Sequence, residues 1–158
     1  MTSVQDGPDI QSGTTRDDQQ VRAVIEGRSR AIEEKDADRL VGFYASDVVV
    51  YDLAPPLQQP SSEVLDPASH RAWFASFEPR MEYDTRDLTV TVSGDVAFAH
   101  GLVRLAATPH GSAEGFTMWF RMTLCLGRAS ETWLITHEHA STPFYMDDSF
   151  RAAVDLEP

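Results

Sequence analysis

The most regular hydrophobic pattern in the chain is an alternation of apolar and mixed residues over Gly115–Phe144. Side chains of a β-strand point to opposite faces at successive positions, so this period of two predicts two strands joined by a polar turn. One face of the first strand is wholly apolar and consists of Phe116, Met118, Phe120, Met122, Leu124 and Leu126. The other face is mixed and consists of Thr117, Trp119, Arg121, Thr123 and Cys125. Both faces need a cover, and we expect the mixed face to line a ligand cavity.

Apolar residues at helical spacing predict three helices in the first half of the chain. Thr15 is a suitable N-cap for the first helix, and Asp36 is positioned to cap a second, shorter one. Asp66–Pro67 begins a third helix that runs to about Phe77, with proline at the first helical position. The buried face of the first helix is predicted to carry Val21, Val24, Ile25, Arg28 and Ile32.

Period-two patterns predict an early strand at Val48–Leu53 and further strands from Arg80 onward, with turns at Ser93–Asp95 and Pro109–Gly111. The order is three helices with an early strand, followed by a four-strand antiparallel meander. It predicts an α+β fold in which three N-terminal helices pack on one side of a curved, mainly antiparallel sheet. Three helices can cover only one face, so the remaining apolar face predicts a homodimer through the sheets.

Both ends of the chain differ in composition from the part between them. Residues 1–14 are polar, rich in Gly, Ser, Asp and Gln, and lack periodicity, which predicts a disordered tail. Residues 15–144 hold all the periodic segments and form one predicted domain. Residues 145–158 are predicted to form an acidic C-terminal tail.

The charge balance restricts the partners that this protein is expected to bind. Its 158 residues carry a formal net charge of -12, and an acidic surface repels phosphate backbones and anionic lipids. We therefore expect neither nucleic-acid nor membrane binding. The single cysteine, Cys125, excludes an internal disulfide. No apolar run reaches the roughly 18 residues of a membrane span, and no signal-peptide core is visible, so we expect a cytoplasmic protein.

Three polar residues interrupt apolar patterns, and each has two interpretations. Arg28 lies in the apolar stripe of the first helix, with its charged head either at the helix edge or aimed into a cavity. Asp52 closes an apolar strand face and is either a solvated strand end or an acid in a pocket. His70 shares an apolar helix face with Trp73 and Phe74, where it is either a hydrogen-bonded core residue or a catalytic group.

A metal site is the weakest of the chemical hypotheses. His137 and His139 lie two apart on a predicted strand and could share a metal, but Glu138 between them points the other way. No second cluster of histidines or cysteines accompanies them, and the spacing is not that of the helical His-Glu-x-x-His motif. We therefore expect no metal and no cofactor.

Two runs of sequence resemble the nuclear transport factor 2-like superfamily, namely AIEEKDADRLVGFYASDVVVYDLAPP and the terminal WLITHEHASTPF. That superfamily includes ketosteroid isomerases, SnoaL-like polyketide cyclases and the association domain of calmodulin-dependent protein kinases. The terminal run, with Arg121 and Thr123 upstream, is typical of the SnoaL-like and association-domain branch. The resemblance covers residues 18–144 and implies a cone-shaped, cystatin-like fold whose helices and concave sheet enclose a pocket. It also implies dimers through the convex face.

The resemblance further implies roles for individual residues. Asp52 matches the position of the general base of the isomerases. The isomerases use a tyrosine and a protonated aspartate as oxyanion-hole donors. Arg28 stands at the position of the tyrosine and Trp119 at or beside that of the aspartate. Both donors are therefore missing, which argues against ketosteroid isomerisation itself. His70, in the run His-Arg-x-Trp-Phe, looks like an association-domain histidine that lines the pocket.

Two arginines, Arg104 and Arg121, match pocket arginines that bind carboxylate ligands in the same branch. A third arginine of that set is replaced here by Ala140, and Arg28 could supply a substitute charge. If position 140 faces the pocket, Glu138 on the same strand faces it too.

Together these residues predict a small-molecule pocket with apolar walls and a few convergent polar groups. The predicted catalytic residues are Asp52, His70 and Arg121. The predicted ligand contacts are Arg28, Trp73, Phe74, Phe98, His100, Arg104, Trp119 and Glu138. We expect a cofactor-independent SnoaL-like cyclase, isomerase or dehydratase that applies general acid–base chemistry to a carbonyl-containing or anionic metabolite, such as a carboxylate or polyketide-like compound. The alternative is a non-catalytic ligand-binding or oligomerisation module of the same fold.

Overall fold

Helices precede most of the sheet along the chain, as the sequence predicts. The computed structural model describes residues 15–158, so the tail predicted at residues 1–14 lies outside the described residues. The helices are α1 (Arg16–Glu33), α2 (Ala37–Val41), α3 (Ser61–Val64) and α4 (Pro67–Ala75). The strands are β1 (Tyr44–Tyr51), β2 (Phe77–Ser93), β3 (Val96–Pro109), β4 (Phe116–Ala129) and β5 (Thr132–Ser141). Within residues 15–158, no helix has both the length and the apolar composition needed to cross a bilayer.

Side-chain caps fix the starts of the three predicted helices. Thr15 and Asp36 accept hydrogen bonds at 3.1 and 3.0 Å from backbone amides in the first turns of α1 and α2. Asp66 accepts one at 2.9 Å in the first turn of α4, where Pro67 lacks an N–H group that would have no helical acceptor. These contacts confirm the predicted helix starts.

The strands form one open, curved sheet in the order β1-β5-β4-β3-β2. Strands β2 to β5 make the antiparallel meander that the sequence predicts, whereas β1 pairs with β5 in parallel. The helices gather on the concave side of this sheet. The predicted α+β, cystatin-like architecture is therefore confirmed.

The apolar face of β4 is the face that packs against the helices. Its residues Met122, Leu124 and Leu126 are almost fully buried, together with Val21 and Ile25 of α1. Removing side chains of this kind from water stabilises the fold by about 1.5–3 kcal/mol each. The helices and the concave face of the sheet therefore share one core.

A single ammonium group joins α1 to α4. Lys35, just beyond the end of α1, donates hydrogen bonds to three backbone carbonyls at 2.6–3.0 Å. The acceptors are Phe74, Phe77 and Glu78. Because these carbonyls belong to the end of α4 and the start of β2, the lysine fixes α4 over the concave face.

Some element boundaries differ from the prediction. Helix α2 ends at Val41 because Gly42 follows as its C-cap, and β1 already begins at Tyr44 rather than at Val48. The sequence pattern assigned Tyr44 to the face of the second helix, so its place in a strand is a correction. The three prolines of residues 54–65 predict a loop, but the short helix α3 forms within that segment directly after Pro60, which is a second correction.

The last strand contains an irregularity that its sequence conceals. Ile135 pairs with Leu126 and His137 pairs with the preceding residue, Cys125. Thr136 is therefore an extra residue on β5, as in a β-bulge. An extra residue reverses which of the following side chains face the helices.

This bulge divides one apparent strand face into two. Strict alternation would place four residues together: Trp133, Ile135, His137 and His139. In the structure Trp133 and Ile135 are buried on the concave side, whereas both histidines turn to the opposite side. Glu138 is consequently buried and faces the helices.

The residues after β5 fold back on themselves. Phe144 and Ala152 form an isolated antiparallel bridge, and the Ala153 amide donates to the Pro143 carbonyl at 2.7 Å. Ala153 is only 2 % exposed. The segment predicted as an acidic tail of uncertain order therefore follows a defined backbone path.

Candidate functional site

A cavity of about 330 Å³ lies between the helices and the concave face of the sheet. Its apolar wall comes from Ile32, Leu40, Val50, Val64, Leu105 and Phe120. Its polar groups come from Arg28, Tyr44, Asp52, Gln59, Glu63, Ser69, His70, Tyr83 and Glu138. Apolar walls with a few convergent polar groups are the usual anatomy of a small-molecule site.

A buried hydrogen-bond network forms the floor of the cavity. Arg28 and Glu138, which are 4 % and 8 % exposed, make a direct ion pair. Arg28 also donates from Nε to the Tyr44 hydroxyl at 2.9 Å and from Nη1 to the Tyr83 hydroxyl at 3.1 Å. The Tyr44 hydroxyl in turn donates to Glu138 Oε2 at 2.7 Å. Arg28 therefore points into the cavity, which decides between its two interpretations.

The network keeps its charged pair and its neutral tyrosines in fixed protonation states. Burial alone would lower the pKa of Arg28, but the adjacent carboxylate of Glu138 holds that pKa well above its ordinary value. Burial raises the pKa of Tyr44 and of Tyr83, against the opposing effect of the guanidinium. At neutral pH the floor therefore holds one cation, one anion and two protonated hydroxyl groups, with no net charge.

Asp52 stands at the mouth of the cavity, directly after the end of β1. Its Oδ1 accepts a hydrogen bond from the Leu53 amide at 2.7 Å. Desolvation raises the pKa of the Asp52 carboxyl, and the negative charge of Glu138 adds to this rise. The Leu53 amide, Arg28 and His70 oppose the rise without cancelling it. The carboxyl group thus has the perturbed acidity that is common at catalytic sites.

His70 lies on α4 and faces the same cavity. Its Nε2 lies 2.7 Å from the Val64 carbonyl oxygen. Because a carbonyl only accepts, Nε2 carries a proton and donates it to this oxygen. Trp73, 40 % exposed, completes this side of the lining. The ring is thus hydrogen-bonded and also borders the cavity, and its catalytic role stays a prediction.

Phe74 does not line the cavity, contrary to the sequence prediction. It is 3 % exposed and belongs to the hydrophobic core. Its ring lies next to that of Trp73, with the two ring centroids 5.2 Å apart. Phe74 therefore supports α4 from behind.

Five further residues predicted to contact the ligand or to act in catalysis lie on the opposite side of the sheet. They are Phe98, His100, Arg104, Trp119 and Arg121. Leu105 and Phe120 line the cavity, and their strand neighbours Arg104, Trp119 and Arg121 consequently point away from it. The prediction that the mixed face of β4 lines the cavity is therefore wrong. The apolar stripes of the helices require an apolar surface, and only the other face of β4 supplies one.

The outward arginines have partners of their own. Arg104 pairs with Glu82 at 2.7 Å and with Asp84 at 3.4 Å across the β2–β3 ladder. Arg121 donates from Nε to the Ser141 hydroxyl at 3.1 Å. Neither guanidinium can reach a ligand held on the concave side.

Sequence reasoning missed the two tyrosines of the cavity floor. Tyr44 was assigned to a helix face, and Tyr83 received no role although it follows the inward-facing Met81 at strand spacing. The available signal was Arg28, because a buried guanidinium needs several acceptors and a buried tyrosine hydroxyl needs a partner.

Within residues 15–158, no group of three or more His, Cys, Asp or Glu side chains is arranged to hold a metal ion. His137 Nδ1 lies 2.8 Å from the Val49 carbonyl oxygen, and its ring centre is 6.3 Å from that of His139. Both rings instead contact Tyr51 edge-on, at centroid distances of 5.0 and 5.5 Å.

The model of the SnoaL-like domain matches residues 21–145, which include every residue of the cavity described above. No curated protein matches the sequence significantly. Among solved structures, a nuclear transport factor 2-like protein of unknown function from Pseudomonas putida is similar, with 29% identity and a TM-score of 0.76. That alignment covers 89% of this chain and 95% of the other.

Two more distant structures share the fold. One is a proposed scytalone dehydratase from Novosphingobium aromaticivorans, at 11% identity and TM-score 0.70, covering 85% of this chain and 89% of that one. The other is a proposed calcium/calmodulin-dependent protein kinase II association domain from Xanthomonas campestris, at 16% identity and TM-score 0.67. It covers 89% of this chain and 96% of its own.

Proposed function

Because the chain belongs to the SnoaL-like domain family, and because its cavity holds a carboxyl group of raised pKa beside an imidazole, we propose that it is a cofactor-independent acid–base enzyme. The reaction would be a cyclisation, isomerisation or dehydration of a carbonyl compound. The observation that carries this proposal is the position of Asp52, an exposed carboxyl at the cavity mouth that lines the same cavity as His70 and the floor network. Desolvation is the main cause of its raised pKa.

Asp52 is the proposed general base. Its carboxylate takes a proton from the carbon next to the substrate carbonyl, and the electron pair of the broken C–H bond moves to the carbonyl oxygen as an enolate. Such a positioned base accelerates proton transfer by about 10²–10⁴-fold. The protonated carboxyl then returns the proton to another carbon in an isomerisation. In a dehydration, a protonated His70 gives its proton to the departing hydroxyl group, which leaves as water. His70 then regains a proton from the Asp52 carboxyl, so both groups return to their starting states.

Tyr83 is the proposed donor to the enolate oxygen. Its hydroxyl accepts from Arg28, and its own proton has only the Met122 sulfur, at 3.9 Å, as an acceptor within residues 15–158. Sulfur is a weak acceptor, so this proton is available to a ligand oxygen. The raised pKa keeps the hydroxyl protonated, and the guanidinium behind it polarises the O–H bond. This chain lacks the two oxyanion-hole donors of the isomerases, and Tyr83 is the proposed donor in their place.

The charges of the lining favour an uncharged ligand. Arg28 is the only arginine or lysine among the lining residues described, and Glu138 already neutralises it. Asp52 and Glu63 add negative charge near the mouth. The expectation of a carboxylate ligand relied on arginines that face away from the cavity, so the geometry does not support it. A volume near the lower end for ligand sites suits a small ring compound, including a short polyketide-like one.

The first experiment identifies a ligand and then asks whether its carbon is deprotonated. Uncharged carbonyl compounds, each paired with its carboxylate analogue, are screened by thermal shift, because a ligand that binds the native state raises the melting temperature. Proton–deuterium exchange at the carbon next to the carbonyl is then followed by NMR in heavy water. The wild-type protein should bind the uncharged member of a pair and catalyse its exchange.

Asp52→Asn is the decisive variant, with Asp47→Asn as its control on the same strand but outside the cavity lining. Asp52→Asn should retain the thermal shift and lose exchange by about 10²–10⁴-fold. Asp47→Asn should behave as wild type. Binding without exchange by the wild-type protein would favour the alternative, a non-catalytic binding module.

A further inference from the structure

The outer sheet face, defined as the surface that β1–β5 turn away from the helices, differs from the rest of this acidic protein. It carries three of the chain's five histidines. Cationic and aromatic side chains accompany them, so that the face includes His100, His137, His139, Arg104, Arg121 and Phe98. The face also carries Glu82 and Asp84, which pair with Arg104. Because the whole chain has a formal net charge of -12, a surface with this many cationic and titratable nitrogen groups is still a local exception.

Two features of this face indicate a partner that is both acidic and apolar. Arg121 is exposed and has no carboxylate partner within residues 15–158, since its side chain donates only to the Ser141 hydroxyl. Phe98 and Val96 stand on the same face and are 48 % and 62 % exposed. Exposed apolar groups and a cation without a carboxylate partner on one sheet face are typical of a contact surface.

The segment Phe144–Glu157 has the complementary composition. Its large apolar side chains point outward, with Phe144, Met146 and Phe150 exposed by 61 %, 88 % and 65 %. The backbone is nevertheless held, because the Tyr145 amide donates to the Arg151 carbonyl at 2.9 Å. A segment that folds with its apolar side chains in water has a surface suited to a partner.

The same segment is also strongly acidic. It holds four carboxylate residues against the single Arg151: Asp147, Asp148, Asp155 and Glu157. The carboxylates of the segment thus complement the cations of the outer sheet face, and its exposed apolar side chains match the exposed apolar residues of that face. Complementary charge across a contact steers association and fixes its register.

We propose that the outer sheet face of one copy binds segment Phe144–Glu157 of a second copy, and that the exchange is reciprocal. Each copy carries both the face and the segment, so the contact closes on itself around a two-fold axis. A pairing of bare outer faces would instead bring the same cations of both copies together, with Glu82 and Asp84 already engaged by Arg104. An acidic segment bound to each face avoids this repulsion between like charges.

The position of the segment makes this exchange short. Ser141, the last residue of β5, contacts Arg121 on the outer face, and Phe144 follows soon after it in the chain. The segment therefore leaves each copy at the edge of the surface that receives its counterpart. This inference is independent of the cavity chemistry, which lies on the other side of the sheet.

Sedimentation velocity over a range of about 1–100 µM tests the proposal with one variant on each surface. Arg121→Glu alters the face, and the double variant Met146→Ser with Phe150→Ser alters the segment. Each should raise the dimer dissociation constant by about tenfold or more. Arg16→Glu makes the same charge change at the exposed start of α1 and should leave it unchanged. All altered side chains are exposed, so thermal unfolding should remain that of the wild type at matched oligomeric state.

Mixing the two variants separates reciprocal exchange from a plain sheet contact. In a mixed dimer, the intact segment of the face variant meets the intact face of the segment variant, so one of the two contacts survives. The equimolar mixture should therefore associate more tightly than either variant alone. A wild-type protein that is monomeric at about 100 µM would overturn the proposal. A dimer that the segment variant leaves unchanged would overturn it as well.

Discussion

The concave face and the outer face of the sheet are made of alternate residues of the same strands, yet they hold charge in opposite ways. On the concave side, Arg28 and Glu138 are withdrawn from water. Arg28 donates to the hydroxyls of Tyr44 and Tyr83, and Glu138 accepts from that of Tyr44. On the outer face, Arg104 meets Glu82 in contact with solvent. Neighbouring positions of one strand thus belong to two different electrostatic environments.

The difference shows which ion pair can change the reactivity of the groups around it. A solvated pair is screened and contributes little to stability. A buried pair is costly to desolvate and persists only when each partner satisfies the other, but it then polarises the groups beside it. Tyr83 and Asp52 lie beside the buried pair, and no catalytic role is proposed for the solvated one.

The largest expected effect follows from breaking the buried pair. Glu138→Gln leaves the guanidinium of Arg28 buried without a counter-charge, and the free energy of unfolding in urea should fall by about 3–5 kcal/mol. Glu82→Gln removes the corresponding carboxylate from the outer face and should change the urea midpoint little, since water replaces it. Equal losses of unfolding free energy in the two variants would contradict the proposed difference between the buried and the solvated ion pair.

The next effect concerns rate rather than stability. Tyr83→Phe removes the proposed hydroxyl donor, and the ligand exchange rate should fall by about 10²–10³-fold. Ligand binding, measured by thermal shift, should persist because the cavity wall is retained. Tyr51→Phe makes the same chemical change on the outer face, beside His137 and His139, and should leave the rate unaltered. A normal rate in Tyr83→Phe would show that another group stabilises the oxyanion.

Sequence periodicity was sufficient for the architecture because local rules act on it directly. Caps such as Thr15 and Asp66 and the turn at Ser93–Asp95 depend only on neighbouring residues. Alternation in β4 also separated its two faces correctly. It could not tell which face meets the helices, and the placement of Arg121 in the cavity failed for that reason.

Other features depend on contacts between distant residues. The bulge at Thr136 is a property of the β4–β5 pairing, so it is invisible in the sequence of either strand. The cavity floor joins side chains from α1, β1, β2 and β5, and only the fold brings them together. The resemblance implied pocket positions for Asp52, His70 and Glu138, which line the cavity, but also for Arg104 and Arg121, which do not.

The smallest effect is a pH dependence of opposite sign on the two faces. The pKa of Asp52 is higher in the folded chain than in the unfolded one, so the folded state binds more protons between the two values. Its contribution to the unfolding free energy therefore falls as pH rises through that window. The pKa of Glu82 is lowered by hydrogen bonds from Arg104 and Arg80. Its contribution is present above the unfolded pKa and is lost as pH falls through the folded pKa.

The most direct test of the account is a carbon-13 NMR titration that follows the carboxyl groups of Asp52 and Glu82 in one sample. We predict a pKa for Asp52 above its ordinary value of 3.8 and a pKa for Glu82 below its ordinary value of 4.5. Exchange activity should then appear as pH rises through the measured pKa of Asp52, because only the carboxylate accepts a proton. A pKa for Asp52 at or below 3.8 would contradict the central claim that the cavity tunes this carboxyl group as a base.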